Sequence, residues 1–333
     1  MTLLVTGGGG FVMSHVIRHW LERDADARAV VLDRWPLDGQ AQRFFARDSG
    51  RLRFVTADVA AIDDWAGALE DEEITAVVHG AAVTSIKRLT AEGLLGAQGA
   101  IEANIMGSFR VLGWACGLPS LRRFINVSSG SVYADEGPEG PLPEDGFVAP
   151  QELYPISKHV GELLTRQAAA QFGLPAVSVR LSGVYGPMDR QTATRDVVCL
   201  PQQLARLALR GETVRVNSLE AVGDFIHAGD VASAVVALLE APTLRHPVYN
   251  IAYGEATSVE TLLDCIAAVV PTAHGELVDA SEANVLVEPN KRTGRWGAYD
   301  TSRIRQDTGW QPRPLAEAIA DYVHWLREDA EPR

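Results

Sequence analysis

The chain has 333 residues, 47% of them hydrophobic and 22% charged, which is enough apolar sequence for a large buried core. Its formal net charge of −13 repels DNA, RNA and anionic membranes, so neither a nucleic-acid partner nor a membrane partner is expected. The three cysteines are widely spaced, which argues against a disulfide framework or a zinc site and favours a reducing compartment. Without a signal-like start or an apolar run approaching ~20 residues, a cytoplasmic protein that holds no metal is predicted.

Short apolar runs alternate with amphipathic stretches through the first 180 or so residues. Runs that are apolar throughout are typical of parallel strands covered on both faces, and the amphipathic stretches predict helices between them. The predicted strands are residues 3–5, 29–32, 52–56, 76–78, 124–127 and 176–180, and the predicted helices are 13–23, 62–69, 103–115 and 156–172. This alternation predicts an α/β fold of the Rossmann type, with a doubly wound parallel sheet.

The pattern changes after about residue 186, where prolines and mixed polar residues interrupt it. Helical periodicity returns at residues 201–210, 231–239, 259–269 and 314–326, and β-like pieces occur at 213–216 and 284–287. This half predicts a smaller C-terminal α/β lobe. Residues 138–150 are rich in proline, glycine and acids, and they predict a surface loop.

Four consecutive glycines, residues 7–10, stand between the first predicted strand and the first predicted helix. Glycines there permit a tight turn that approaches a pyrophosphate, whose charge the helix N-terminus stabilises, although a glycine run alone could be a flexible turn. Asp33 ends the second strand, where a carboxylate accepts hydrogen bonds from the adenosine ribose and favours NAD over NADP. Arg34 beside it keeps NADP open as the alternative. Asp58 ends the third strand and is predicted to contact the adenine.

Tyr154 and Lys158 are four residues apart, so on a helix both side chains lie on one face. The ammonium is expected to stabilise a phenolate and lower the pKa of the tyrosine, which could then exchange a proton with a substrate hydroxyl. Ser129, between the weaker candidates Ser128 and Ser131, ends a predicted strand at the sheet edge where ligands bind, and can donate a hydrogen bond to the reacting oxygen. Each feature alone could be a turn or a helix surface, but their combination and order are far more specific.

These segments together resemble the extended short-chain dehydrogenase/reductases, the NAD-dependent epimerase/dehydratase family that includes the UDP-galactose 4-epimerases. The resemblance covers nearly the whole chain and rests on residues 5–11 (VTGGGGF), 78–82 (VHGAA), 104–108 (NIMGS), 127–133 (VSSGSVY), 154–158 (YPISK), 180–187 (RLSGVYGP), 224–231 (DFIHAGDV), 249–252 (YNIA) and 308–312 (TGWQP). It implies an NAD-binding domain at residues 1–183, to which 224–250 return, and a substrate-binding lobe at 184–333. It also implies a homodimer joined through the helices at 103–115 and 156–172.

The resemblance assigns roles to individual residues. Tyr154 is implied as the acid/base, Lys158 as the group that tunes it and holds the nicotinamide ribose, and Ser129 as the donor to the substrate oxygen. The residues expected to contact NAD are Gly7, Gly10, Phe11, Val12, Asp33, Asp58, Val59, Ala81, Ala82, Val127, Tyr154, Lys158 and Val184. The residues expected to contact a sugar or sugar-nucleotide substrate are Thr84, Ser85, Ser131, Ser182, Arg292 and Arg295.

Three positions depart from the family pattern. Met13 stands where the third glycine of the nucleotide motif is usual, so it is expected to shift the helix or crowd the cofactor. Ser182 replaces a usual asparagine, and Gly223 replaces an arginine that holds the substrate diphosphate. Losing such a charge-assisted contact removes ~1.5–3 kcal/mol. Arg292 and Arg295 could replace it, or could be solvated loop charges.

Two functions therefore stay open. The first is an epimerase acting on a sugar nucleotide with NAD retained, and the second is a net dehydrogenase or reductase of a non-nucleotide sugar, sugar acid or other polar alcohol. A dehydratase is disfavoured because the serine cluster lacks the usual acid pair. A non-catalytic NAD-binding regulator is disfavoured by the intact Ser129, Tyr154 and Lys158. His227 is expected to be a structural histidine and Cys199 a packing residue.

Overall fold

The protein is described by a computed structural model covering residues 1–84, 97–134, 140–196, 198–287 and 298–330. Its centre is a sheet whose strands are β1 (Thr2–Thr6), β2 (Arg28–Asp33), β3 (Leu52–Thr56), β4 (Ile74–His79), β5 (Arg123–Ser129), β6 (Ala176–Leu181) and β11 (Val248–Ile251). All pairings in this seven-stranded sheet are parallel, in the order β11-β6-β5-β4-β1-β2-β3. The order reverses between β1 and β4, which places a crevice at their carboxyl ends.

Helices cover both faces of the sheet and build the second lobe. They are α1 (Phe11–Glu22), α2 (Gly39–Phe45), α3 (Gln98–Ile101), α4 (Gly107–Cys116), α5 (Leu153–Phe172), α6 (Leu200–Leu209), α7 (Ala228–Glu240), α8 (Val259–Val269), α9 (Ser302–Thr308) and α10 (Leu315–Ala330). Alternate side chains of β1 enter different cores: Leu3 and Val5 pack with α1 and α7, whereas Leu4 packs with α4 and α5. This two-residue alternation explains why every residue of β1 is buried.

The second lobe has its own core. Its short strands are β7 (Gly183–Tyr185), β8 (Val214–Val216), β9 (Val222–Gly223), β10 (Phe225–His227), β12 (Thr257–Ser258) and β13 (Gly275–Leu277). They form parallel pairs β7–β10 and β8–β13 and an antiparallel pair β9–β12. Leu204 of α6, Leu262 of α8 and Tyr322 of α10 meet in the buried centre. The predicted fold class is confirmed, while the boundary at residues 183 and 184 stays a prediction.

Two predicted elements are wrong. The expected helix at 62–69 is a pair of 3₁₀ turns, Ile62–Asp64 and Gly67–Leu69. Trp65 lies between them with 0% of its surface exposed, packed edge-on against Trp114, and Gly67 is a poor helix former. The expected strand at 284–287 is reduced to one bridge between Val285 and Val216.

Several features bear on membranes, metals and redox chemistry. Across the described ranges, no helix combines the length and apolar character needed to cross a bilayer. The same residues contain no group of three or more His, Cys, Asp or Glu arranged to hold a metal ion. Cys116, Cys199 and Cys265 are free thiols.

Candidate active site

A cavity of about 500 Å³ opens at the carboxyl ends of the central strands. Every residue predicted to contact NAD lines it: Gly7, Gly10, Phe11, Val12, Asp33, Asp58, Val59, Ala81, Ala82, Val127, Tyr154, Lys158 and Val184. The predicted catalytic Ser129 lines it as well. The sheet topology thus brings the ends of β1, β2, β4, β5 and β6 to one cleft, as expected for a doubly wound sheet.

The glycine turn, residues 7–10, forms one end of this cavity. Gly7 has a φ of +70°, and a Cβ there would lie 2.8 Å from the Cα of Ala81. The Gly10 N–H donates to the Gly7 carbonyl at 3.0 Å, which closes the turn before α1 begins. The missing Cβ of Gly7 thus allows the turn to lie against Ala81, and the turn and the N-terminus of α1 both line the cavity, where a pyrophosphate would approach.

Asp33 is fixed beside the glycine turn. Its Oδ2 accepts the Gly9 N–H at 3.0 Å, and its Oδ1 accepts the Trp35 N–H at 3.2 Å. Burial raises the pKa of Asp33, while these N–H groups and the nearby Arg190 act in the opposite direction. The carboxylate lines the cavity where a ribose would sit, whereas Arg34 is engaged in an ion pair with Asp58.

Met13 does occupy the place of the missing third glycine, but the sheet makes room for it. A Cβ on Gly80 would lie 2.2 Å from the Met13 Sδ, so the thioether fills the space left by the absent side chain of Gly80. Met13 is only 4% exposed and belongs to the core between α1 and the sheet. A bulky residue at 13 and a glycine at 80 therefore replace a glycine at 13 as the means of packing α1 on the sheet.

Tyr154 lies in the first turn of α5, and Lys158 follows one turn later. Burial raises the pKa of Tyr154, while a hydrogen bond from Ser129 and the positive charge of Arg195 lower it. Burial is the largest of these effects, so the pKa of Tyr154 lies above its ordinary value and not below it, as the spacing of Tyr154 and Lys158 had led us to expect. Ser129 accepts hydrogen bonds from the Ser131 N–H at 3.2 Å and the Ser131 hydroxyl at 3.0 Å.

Lys158 lies near a buried ion pair between Glu162 and Arg180, which was not predicted from the sequence. Burial lowers the pKa of Lys158 to about 8, and Glu162 opposes this shift. Glu162 binds Arg180 through both oxygens, at 2.8 and 2.7 Å. Burial acts to raise the pKa of Glu162, but Arg180 outweighs it and brings that pKa to about 2. A carboxylate one turn after Lys158 was the available signal in the sequence.

Asn104 connects Val83, in the loop after β4, with Ser157 on α5. It lies in a π-helical turn, Glu102–Met106, between α3 and α4. Its Oδ1 accepts the Val83 N–H at 2.8 Å, and its amide donates to the Val83 carbonyl and the Ser157 hydroxyl, both at 3.0 Å. π turns are frequent at functional sites. Asn104 in this turn fixes Val83, which lines the cavity, against α5.

The residues predicted to bind substrate divide into three groups. Thr84 and Ser182 line the cavity, whereas Ser131 is not among the lining residues and turns back to Ser129. Ser85, Arg292 and Arg295 lie outside the described residues. At Gly223, where an arginine was expected from the family pattern, a Cβ would lie 2.8 Å from the ring of Phe225.

One wall of the cavity was not predicted at all. Residues 187–196, here called the wall loop, contribute Met188, Arg190, Thr192, Thr194 and Arg195 to the lining. Arg190 pairs with Asp38 at 2.8 Å and donates to the Gly9 carbonyl at 3.4 Å. The Thr194 carbonyl accepts the Thr84 N–H at 3.0 Å and hydroxyl at 2.8 Å. The wall loop is thus tied to both ends of the cleft.

His227 and Cys199 have the structural roles expected of them. His227 Nδ1 accepts the Gly229 N–H at the start of α7 and lies 3.0 Å from Arg313. Burial, with His15 and Arg313, lowers its pKa to about 3, so the ring is neutral. Burial and the adjacent Asp189 raise the pKa of Cys199 well above its usual value, which keeps it a thiol.

The sequence profile described as the NAD dependent epimerase/dehydratase family matches residues 3–252. The chain belongs to this family. UDP-glucose 4-epimerase of Mycolicibacterium smegmatis is 28% identical over 335 residues, covering 99% of this chain and 100% of that protein. A dTDP-4-dehydro-6-deoxy-D-allose reductase of a Streptomyces species is 27% identical, covering 98% and 96%. The structure of UDP-glucose 4-epimerase from Thermotoga maritima with UDP-glucose is similar in fold, with a TM-score of 0.81 at 24% identity and coverage of 99% and 100%.

Family membership confirms the predictions of an NAD-dependent enzyme and of NAD as its cofactor. The cavity fits that group, because the bare glycine turn leaves room for a pyrophosphate and Asp33 presents a carboxylate to a ribose. Tyr154 and Lys158 belong to the same cavity lining as the glycine turn and Asp33.

Proposed function

We propose that this protein is a sugar-nucleotide 4-epimerase that keeps its NAD through the catalytic cycle. The observation that carries the proposal is the lining of one cavity by the dinucleotide cradle and by Ser129, Tyr154 and Lys158. The similarity over 99% of the chain to a UDP-glucose 4-epimerase supports the choice of substrate class.

Each residue of the site has a defined task in this reaction. Bound NAD supplies the hydride acceptor and, in the return step, the hydride donor. Tyr154 takes the proton of the substrate hydroxyl during oxidation and returns it to the same oxygen during reduction, while the Ser129 hydroxyl donates a hydrogen bond to that oxygen. Lys158 holds a positive charge beside the site below its pKa of about 8. We expect that charge to favour the phenolate form of Tyr154 during proton transfer, against the burial that raises the pKa of the phenol.

The wall loop supports epimerisation over net oxidation. Arg190 connects Asp38 at the start of α2 with the Gly9 carbonyl of the glycine turn. If NAD binds between the glycine turn and the wall loop, these contacts would slow its release. A retained cofactor suits a reaction in which each turnover restores it, whereas a dehydrogenase must exchange it.

The main alternative is a net dehydrogenase or reductase of a sugar, sugar acid or other polar alcohol without a nucleotide. The glycine at 223 favours it, because no cation stands there to hold a substrate diphosphate and the Phe225 ring lies 2.8 Å from where a Cβ would be. A dehydratase is disfavoured for a related reason. Glycine stands at position 130 beside Ser129, and an acid there would require the Tyr299 hydroxyl to move.

The proposed enzyme is a cytoplasmic homodimer. Unpaired cysteines fit a reducing compartment. The adjacent helices α4 and α5 expose Phe109 at 57%, Leu163 at 40% and Ile156 at 38%. Covering such apolar side chains contributes about 25 cal/mol per Å². Light scattering should give a dimer for the wild type and a monomer for the Phe109→Glu/Leu163→Glu double variant; a monomeric wild type would refute the assembly.

The test of the function is conversion of UDP-galactose to UDP-glucose by the purified protein without added NAD, followed by chromatography. We expect interconversion from both directions and no accumulation of NADH, and no conversion by the Tyr154→Phe variant. Net NADH formation with added NAD and a free sugar or sugar acid, together with unchanged UDP-sugars, would establish the alternative instead.

A further inference from the structure

Arg195 is a cation of the wall loop that faces the reacting end of the cavity. It lines the same cavity as Tyr154 and Ser129. The carbonyl of the neighbouring Thr194 accepts a hydrogen bond from the Thr84 hydroxyl. The guanidinium of Arg195 lies 5.3 Å from the centre of the Phe11 ring, at the start of α1. These contacts place the side chain between the glycine turn and the substrate side of the cleft.

One edge of the Arg195 guanidinium is bound by a buried carboxylate. Its Nε and Nη2 both donate to Asp189 Oδ1, at 3.0 and 2.8 Å. The side chain of Asp189 is 0% exposed, whereas that of Arg195 is 29% exposed. The second oxygen of Asp189 accepts the Cys199 N–H at 2.9 Å, which fixes the carboxylate. Among the described residues, Nη1 of Arg195 has no hydrogen-bond partner, so this donor remains available to a ligand in the cavity that the residue lines.

The other cations of the cavity wall have different surroundings. Arg34 pairs with Asp58 and Arg190 with Asp38, and both pairs lie at the adenosine end beside Asp33. Lys158 follows Tyr154 on α5 and is buried. At the substrate side, Gly223 provides no charge and its side-chain space is filled by Phe225. Among the described residues of that side, Arg195 is the cation available to an anionic substrate.

We propose that Arg195 is a substrate-binding residue that binds an anionic group of the sugar nucleotide, a phosphate or a carboxylate oxygen, in the cavity that Tyr154 also lines. The inference rests on the proposed function and adds to it a specificity-determining position. A planar guanidinium held along one edge by a buried carboxylate is preorganised, so little conformational freedom is lost when the other edge binds an oxyanion. The positive charge of Arg195 also lowers the pKa of Tyr154, which is consistent with its position near the reacting end.

The test is calorimetric titration of the NAD-saturated full chain with UDP, UDP-glucose and UDP-glucuronate. Arg195→Gln should bind at least one of the three compounds about tenfold to hundredfold more weakly than the wild type. Loss with all three compounds would assign a phosphate to Arg195, and loss confined to UDP-glucuronate would assign a sugar carboxylate. Arg210→Gln, an exposed change at the end of α6 that lies outside the cavity lining, is the matched control and should bind like the wild type.

A second pair of variants protects the test against misfolding. Because Arg195→Gln leaves the buried Asp189 without its cation, the double variant Asp189→Asn/Arg195→Gln is compared with Asp189→Asn alone, which retains the arginine. Wild-type affinity of both the single and the double glutamine variants for all three compounds would overturn the inference while leaving the epimerase proposal intact. A wild type that binds NAD but none of the three compounds would overturn the sugar-nucleotide function itself, and the inference with it.

Discussion

The two sides of the cavity are built by different means. The cofactor side is made of backbone: a glycine turn closed by the Gly10-to-Gly7 hydrogen bond, with Asp33 fixed by the Gly9 N–H. The wall loop is held by charged side chains, Arg190 with Asp38 and Arg195 with Asp189. Backbone geometry is set by local sequence and tolerates little change. An ion-pair wall depends on partners far away in the chain and responds to charge, salt and single substitutions.

The largest effect on activity is expected at Tyr154, which lines the cavity between the two sides. Tyr154→Phe removes the acid/base and should lower kcat by about 10²–10⁴-fold, because the phenol proton has no replacement. NAD content and melting temperature should stay near the wild-type values, as the ring remains in place. Steady-state kinetics with UDP-galactose measures the first, and the absorbance of cofactor released on denaturation measures the second. A variant with more than a tenth of wild-type kcat would remove Tyr154 from this role.

The geometry of the glycine turn on the cofactor side can be disrupted by a substitution at Gly7. Gly7→Ala forces a Cβ to 2.8 Å from the Cα of Ala81 at a φ of +70°, so we expect loss of bound NAD and destabilisation by about 1–3 kcal/mol. Gly211→Ala is the matched control, since Gly211 has a φ of +71° but nothing within 4 Å of a Cβ. Chemical denaturation and cofactor content should separate the two variants. Equal behaviour would mean that backbone strain, and not the close approach to Ala81, decides the site.

The pH dependence of activity tests the charge that serves the reacting end. Lys158 carries its proton below a pKa of about 8 and loses it above, so kcat should fall as the pH rises through that value. Lys158→Arg stays charged throughout this range and should shift the fall to higher pH, even if its absolute kcat is lower. The log kcat profile of both proteins between pH 6 and 10 gives the answer (a range chosen to bracket Lys158). An identical fall in both would assign the ionisation to another group.

The smallest effect is expected at the adenosine end of the wall loop. Arg190→Gln removes the ion pair with Asp38, whose side chain is 49% exposed, so its contribution should be about 1 kcal/mol or less. NAD should dissociate a few-fold faster, and added salt should accelerate its release from the wild type more than from the variant. Stopped-flow release of a fluorescent NAD analogue measures both. Unchanged release would show that the wall loop does not retain the cofactor.

Local sequence was sufficient for the parts that depend on neighbouring residues. The apolar runs predicted the parallel strands, the four glycines predicted the turn after β1, and the four-residue spacing placed Tyr154 and Lys158 on one helix face. The helix expected at 62–69 failed because burial of Trp65 against Trp114 decides that segment. Propensity is a weak prior there, and tertiary packing overrides it.

Contacts between distant residues were beyond the sequence. Met13 is compatible with the glycine motif because Gly80, directly after β4, has no side chain in the space that the thioether fills, and Gly223 lies against the ring of Phe225. Arg190 meets Asp38 across 152 positions, so no spacing rule could have paired them. The sequence by itself determined the fold class, the glycine turn after β1 and the placing of Tyr154 and Lys158 on one helix, since these follow from short-range geometry. Only the tertiary structure decided which cations line the cavity, because folding brings the wall loop close to the ends of strands that lie far earlier in the sequence.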